Sequence, residues 1–133
     1  MESFNIEHKF VVLSPDKEAH TVVNSPQVYE DLDRDYADFK GHELIAIHEF
    51  KEDWPSWEVH PNGDEIVVLL SGAATFILRI DNTNREMKLS TEGETVIVPK
   101  GVWHTAKIDS VAKMLFITPG EGTQNEYDEQ KIE

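Results

Sequence analysis

The sequence predicts an all-β domain of the sandwich, jelly-roll or small-barrel kind, preceded by one short helix. Three observations lead there. From residue 43 onward the apolar residues fall in short runs with strand-like spacing, and no convincing helical period recurs. The runs are broken by strong turn chemistry: Pro61-Asn62-Gly63-Asp64, Ser71-Gly72, Asp81-Asn82-Thr83-Asn84, Thr91-Glu92-Gly93-Glu94 and Lys100-Gly101. About eight short strands so punctuated are the signature of a β-sandwich or barrel.

In chain order, strands are expected at 9–13 and 20–23, separated by Ser14-Pro15-Asp16-Lys17 and placed at a sheet edge. Ser25-Pro26 reads as a helix N-cap followed by proline at the first helical position. Val28, Leu32 and Tyr36 then recur every four residues, so one amphipathic helix should end near Gly41. Its acidic residues Glu30, Asp31, Asp33 and Asp35 resemble a cation loop in composition, but helical spacing makes them a solvated face. The remaining strands are expected at 43–50, 57–60, 65–70, 74–81, 85–89, 95–98, 104–108 and 112–118. The domain organisation that follows is N-terminal strands and helix over 1–42, a barrel over 43–118 and an acidic, mobile tail over 119–133, all within one domain.

Composition narrows the function. The chain has 133 residues and no cysteine, which removes thiolate nucleophiles, disulfides and sulfur-ligated metals. Any metal site must use His, Asp and Glu. Twelve Lys and Arg against 26 Asp and Glu give a net charge of −14, which opposes nucleic acid and anionic membranes as partners. No apolar run is long enough to span a bilayer, and the first residues show no basic start or apolar stretch of a secretory signal, so a cytoplasmic protein is expected.

Strand alternation selects the residues that carry chemistry. In Trp57-Glu58-Val59-His60 the period of two puts Glu58 and His60 on one face. Glu65 shares its face with Val67 and Leu69, and His104 shares its face with Ala106 and Ile108, so both point at an apolar interior. A carboxylate there must be protonated, hydrogen-bonded or bound to a cation. Two imidazoles and two carboxylates converging on one barrel mouth would satisfy each other around a divalent metal, or in a metal-free network with a protonated histidine. His48 is a reserve ligand candidate, or a sheet histidine satisfied by a neighbour. His8, His20 and His42 have no partner pattern and read as surface. Trp54, Trp57 and Trp103 could rim a site for a small organic molecule or pack the sheet.

These two segments resemble the paired motifs of the cupin superfamily. His60, Glu65 and Gly72 match the first motif, and Gly93, Pro99, Gly101 and His104 match the second. The resemblance covers roughly 43–118 and implies a double-stranded β-helix, or jelly-roll barrel, with a homodimer as the usual assembly. By position it assigns His60, Glu65 and His104 as ligands of one divalent ion of iron, manganese, zinc or nickel. Glu58 stands where the first motif has a histidine, Glu52 replaces its first glycine and Ile108 the final asparagine of the second. A Glu-x-His pair still offers two ligands, so the expected metal set is Glu58, His60, Glu65 and His104. Gly72 and Gly101 are expected at turns that need a positive backbone dihedral.

Three functions compete. A metal-dependent enzyme acting on a small molecule would work as a dioxygenase, or as an isomerase or lyase with Glu58 as base. A non-catalytic module would bind a small ligand or sense a metal. A structural remnant would only bond its pocket residues to each other.

Overall fold

The computed structural model describes residues 2–127, and among these nine strands pair antiparallel in one continuous sheet system. Strand β1 (Lys9–Leu13) forms a hairpin with β2 (Ala19–Val23), and its other edge pairs with β3 (Glu43–Phe50). Between β2 and β3 lies α1 (Val28–Asp35). Ser25 is not its N-cap: the helix begins after Gln27, which makes no side-chain cap, while the Ser25 carbonyl accepts Val28 N–H at 3.1 Å. Ser25 and Pro26 therefore shape the turn entering the helix. Val28 and Leu32 are buried, and Arg34 lies 3.2 Å from Asp31 and 2.8 Å from Asp35, as expected of a solvated acidic face. After Tyr36 a left-handed turn over Ala37–Phe39, with φ of 52°, 56° and 60°, reverses the chain and buries Phe39. Such angles cost an L-residue roughly 1–2 kcal/mol each, which the packing of Phe39 must offset.

The remaining strands are β4 (Trp57–Val59), β5 (Glu65–Ile80), β6 (Thr83–Leu89), β7 (Thr95–Val98), β8 (His104–Thr118) and β9 (Gln124–Glu126). Two of them are longer than expected. The separate strands anticipated at 65–70 and 74–81 are one bent strand, as are those at 104–108 and 112–118. Ser71-Gly72 does not end β5, because β8 offers backbone partners along its whole length, from Ile66 opposite Ile117 to Leu78 opposite His104. Bulges on both sides of Gly72 bend the ladder instead. Gly72 has φ of 81°, and a Cβ there would lie 2.1 Å from the Val111 carbonyl oxygen, so both conformation and close approach require glycine.

The bend sends each half of β5 and β8 to different neighbours. The first half of β5 pairs with β7 and the second with β6. The first residue of β8 pairs with β4, and residues 112–118 pair with β3. The path of paired strands does not close on itself, so the fold is a jelly roll rather than a closed barrel. One apolar cluster, including Val67, Leu69, Phe76, Met114 and Phe116, fills the roll. A second joins Phe10 and Val12 of β1, Val28 and Leu32 of α1, Phe39, and Leu44 and Ala46 of β3. No helix among the described residues is long and apolar enough to cross a membrane.

The segment expected to be a mobile tail contributes β9, which pairs with β4. Asn62 Nδ2 donates to the Glu121 carbonyl at 2.9 Å, and Gly41 N–H donates to Glu121 Oε1 at 3.2 Å. An edge strand needs only free backbone groups, so polarity did not reveal it. Residues 128–133 of that segment lie outside the described residues.

Candidate metal centre

Strand β4 buries Trp57 and Val59 on one side and turns Glu58 to the other, with His60 following at the strand end. Glu65 opens β5 and His104 opens β8, where its backbone lies opposite both Glu58 and Leu78. Three strand ends therefore bring together the four residues that the alternation selected. Each offers one ligand atom, and these atoms lie within 4.8 Å of one another. His60 Nε2 is 3.2 Å from Glu58 Oε1 and 3.4 Å from Glu65 Oε2; His104 Nε2 is 3.4 Å from Glu58 Oε1 and 3.2 Å from Glu65 Oε1.

The outer nitrogens decide the proton inventory. His60 Nδ1 lies 2.8 Å from the Thr123 hydroxyl, whose own hydrogen goes to the Gly120 carbonyl at 2.9 Å. That hydroxyl can then only accept, so His60 Nδ1 carries a hydrogen. His104 Nδ1 lies 3.1 Å from the Val102 carbonyl, which is also an acceptor, so His104 Nδ1 carries one as well. In the neutral rings both Nε2 atoms are bare lone pairs turned on two carboxylates. Four acceptors so placed need a cation between them, supplied by protons or by a metal.

Both are chemically sound. Burial pushes both imidazoles down, but the contacts and charges of Glu58 and Glu65 outweigh it, raising His60 to about 9 and His104 to about 10. Burial pushes Glu58 up, yet the two histidines hold it down at about 2, and they lower Glu65 in the same way. A metal fits the donor set at least as well. His104 Nε2 and Glu65 Oε1 are near each other but not aligned to hydrogen-bond, and both are buried without a partner. Ligands about 2.1 Å from one ion stand roughly 3.0–3.4 Å apart at ordinary coordination angles, matching the four histidine–carboxylate separations. The Nδ1 hydrogen bonds to Thr123 and Val102 are the outer support that metal-bound histidines generally have. Glu65 is anchored in the same manner, its Oε2 accepting the Thr118 hydroxyl at 2.6 Å.

Sequence reasoning missed these supports. Thr118, Thr123 and Val102 lie far from their partners in the chain or contribute only backbone, and nothing in their own spacing marks them. It also missed the strap over 51–56: Asp53 Oδ1 accepts Ile108 N–H at 2.7 Å, Trp54 N–H donates to the Ala106 carbonyl at 3.0 Å, and Thr105 Oγ1 donates to the Ser56 carbonyl at 2.9 Å. The strap sets the Trp54 ring 6.2 Å from that of His104.

A cavity of about 1220 Å³ opens beside the four residues, with Glu58, His60 and Glu65 in its wall. Its apolar lining includes Phe39, Leu44, Phe50, Trp54 and Phe116. Of the three tryptophans only Trp54 lines it; Trp57 is buried in the sheet with Arg79 5.3 Å from its ring centre. His48 also faces the cavity, but its Nε2 is 2.9 Å from the Tyr29 hydroxyl and its ring packs on Phe10 and Phe116. It is a histidine satisfied by neighbours, held low by burial against the pull of Glu58 and Glu65.

Comparison with solved structures finds the same fold. A cupin-2 domain containing protein from Shewanella frigidimarina NCIMB 400 matches with a TM-score of 0.50 at 23% identity, over 58% of this chain and 70% of that one. Oxalate oxidase matches at 20% identity with a TM-score of 0.52, over 61% of this chain and 44% of its own, and its recombinant form with glycolate at 18% and 0.53, over 62% and 45%. The chain thus spans less than half the length of either oxalate oxidase. Comparison with curated proteins gives no match. The sequence model of the cupin domain matches residues 48–131, which is most of the chain and contains all four converging side chains, and the protein therefore belongs to the cupin-domain family.

Proposed function

We propose that this protein is a metal-dependent cupin enzyme acting on a small organic molecule, with Glu58, His60, Glu65 and His104 holding one divalent ion of iron, manganese, zinc or nickel. The observation that carries the reading is the commitment of both Nδ1 atoms as donors, which leaves two bare Nε2 lone pairs and two carboxylates turned on one point beside a large cavity. When bound, such an ion supplies Lewis acidity or, for iron and manganese, redox chemistry with oxygen. Thr123 and the Val102 carbonyl fix the two rings, and Thr118 fixes Glu65. The strap carrying Trp54 shields His104 from water. Glu58 is the most accessible of the four, with 23% of its side chain exposed, so it is the residue able to touch a substrate. In an isomerase or lyase it would accept a proton.

Elemental analysis of protein made without a histidine tag, from cells supplied with each metal in turn, tests the reading. About one ion per chain is expected, and no bound metal under any supplement would overturn it. The second reading is a non-catalytic binding module with protonated histidines. It is supported by the His60 contact with Glu58 at 3.2 Å and by the raised values of both rings. Metal binding without turnover of any small molecule would favour the metal-sensing form of that module. A homodimer is the assembly proposed, on resemblance to the family alone, and sedimentation would test it.

A further inference from the structure

We infer that the cavity takes a small molecule with an apolar, ring-sized body and no negative charge, and that it rejects small carboxylates. This deepens the proposed function, resting on the cavity as the substrate site. The first argument is charge at the centre. Two carboxylates cancel a divalent ion, and they equally cancel two imidazolium rings, so the four-residue cluster offers no surplus positive charge in either state. A site with three histidines and one carboxylate would keep a net positive charge toward an incoming anion. Glu58 removes it.

The second argument is the rest of the wall. Among the described lining residues the other charged side chains are Asp33, Asp38, Glu49, Glu52 and Asp53 against Lys51, with no arginine. Arginine is the side chain that best recognises a carboxylate in two-point geometry. Asp53 already accepts the Ile108 backbone N–H. These carboxylates are exposed and outnumber Lys51, so the cavity carries an excess of negative charge that repels anions, attracts cations and is screened by salt. The third argument is shape and polarity. Phe50, Trp54 and Phe116 pack edge to face or tilted around one side, while Phe39 and Leu44 close another.

The wall from α1 and the left-handed turn lies before the residues matched by the cupin-domain model, so that share of the charge comes from outside the matched segment. Asp33 and Asp38 both come from this wall.

The test uses three probes that share one ring: benzylamine, benzyl alcohol and benzoate. Binding is followed by tryptophan emission and by ligand-observed NMR on the full chain, as purified and after metal loading. Metal content is measured on the same samples, so a failure of the metal reading is seen separately from a failure of this one. Amine and alcohol are expected to bind at least tenfold more tightly than benzoate at low salt, with the gap narrowing at high salt. The exposed triple variant Asp33→Asn, Asp38→Asn, Glu52→Gln should gain several-fold in benzoate binding with little change for the alcohol. Benzoate binding as tightly as the alcohol, no binding of any probe, or an unchanged ratio in the triple variant would each overturn the inference.

Discussion

The Thr123 hydroxyl sits between His60 Nδ1 at 2.8 Å and the Gly120 carbonyl at 2.9 Å, and with its hydrogen given to the carbonyl it accepts from His60. One threonine thereby fixes which nitrogen of His60 is free. Thr123→Val keeps the shape but withdraws the acceptor, so His60 can place its hydrogen on Nε2. Metal affinity should fall by about 10–100-fold, the usual cost of losing such a support. Thr123→Ser should restore it. Titration with a competing chelator reads the affinity, and unchanged affinity in the valine variant would show that Thr123 does not orient the ring.

Stability of the metal-free protein should depend on pH through the same cluster. His60 and His104 are raised in the folded state to about 9 and 10, above the ordinary 6.5, so their contribution is complete below about 6.5 and is lost as pH rises through 9 to 10. Glu58 is depressed to about 2, so its contribution is present above about 4.5 and is lost as pH falls toward 2. The melting temperature of chelator-treated protein should therefore drop between about pH 6 and pH 10. The double variant His60→Asn, His104→Asn should lose most of that dependence, and an equal drop in both proteins would place its origin elsewhere. Metal must displace these same protons, so apparent metal affinity should climb over the same alkaline range.

Much of the site was legible because strand alternation is a local rule. Glu65 and His104 stand in register with Val67, Leu69, Ala106 and Ile108, and that alone turned them inward. What was not legible depends on long-range pairing. The continuity of β5 across Gly72 follows from β8 lying beside it, and β9 follows from an open edge of β4 rather than from its own residues Gln124, Asn125 and Glu126. The helix was readable from Val28, Leu32 and Tyr36, but its place against the cavity was not. That depends on the left-handed turn bringing Phe39 to the wall, and Ala37-Asp38-Phe39 contains no glycine to announce such a turn.

Gly72→Ala tests the bend in β5. The added Cβ would meet the Val111 carbonyl at 2.1 Å, and φ of 81° is unfavourable for alanine, so two separate penalties combine. A loss of about 3 kcal/mol or more is expected from overpacking and backbone strain together. Gly101→Ala makes the useful contrast: its φ of 78° is equally unfavourable, but nothing lies within 4 Å of the added Cβ. It should cost only about 1–2 kcal/mol. Denaturant unfolding of the two variants reads the difference, and equal losses would mean that the close approach to Val111 carries no cost.

Glu58 sets the character of the centre, because its Oε1 reaches both His60 Nε2 at 3.2 Å and His104 Nε2 at 3.4 Å. As a second carboxylate it supplies a hard oxygen and cancels charge, which should favour manganese or ferrous iron over softer ions. Glu58→His restores a third imidazole and should shift preference toward nickel, copper or zinc. Glu58→Ala should weaken binding by more than the ~10–100-fold typical of losing an outer support, yet leave His60, Glu65 and His104 able to hold an ion. Neither substitution should unfold the protein, since the core is built from Val67, Leu69, Phe76 and Met114 rather than from this partly exposed side chain. Competition titrations of the three proteins against manganese, zinc and nickel separate the cases. Identical affinities throughout would mean that Glu58 is not a ligand, and its position in the cavity wall would then belong to contact with the substrate.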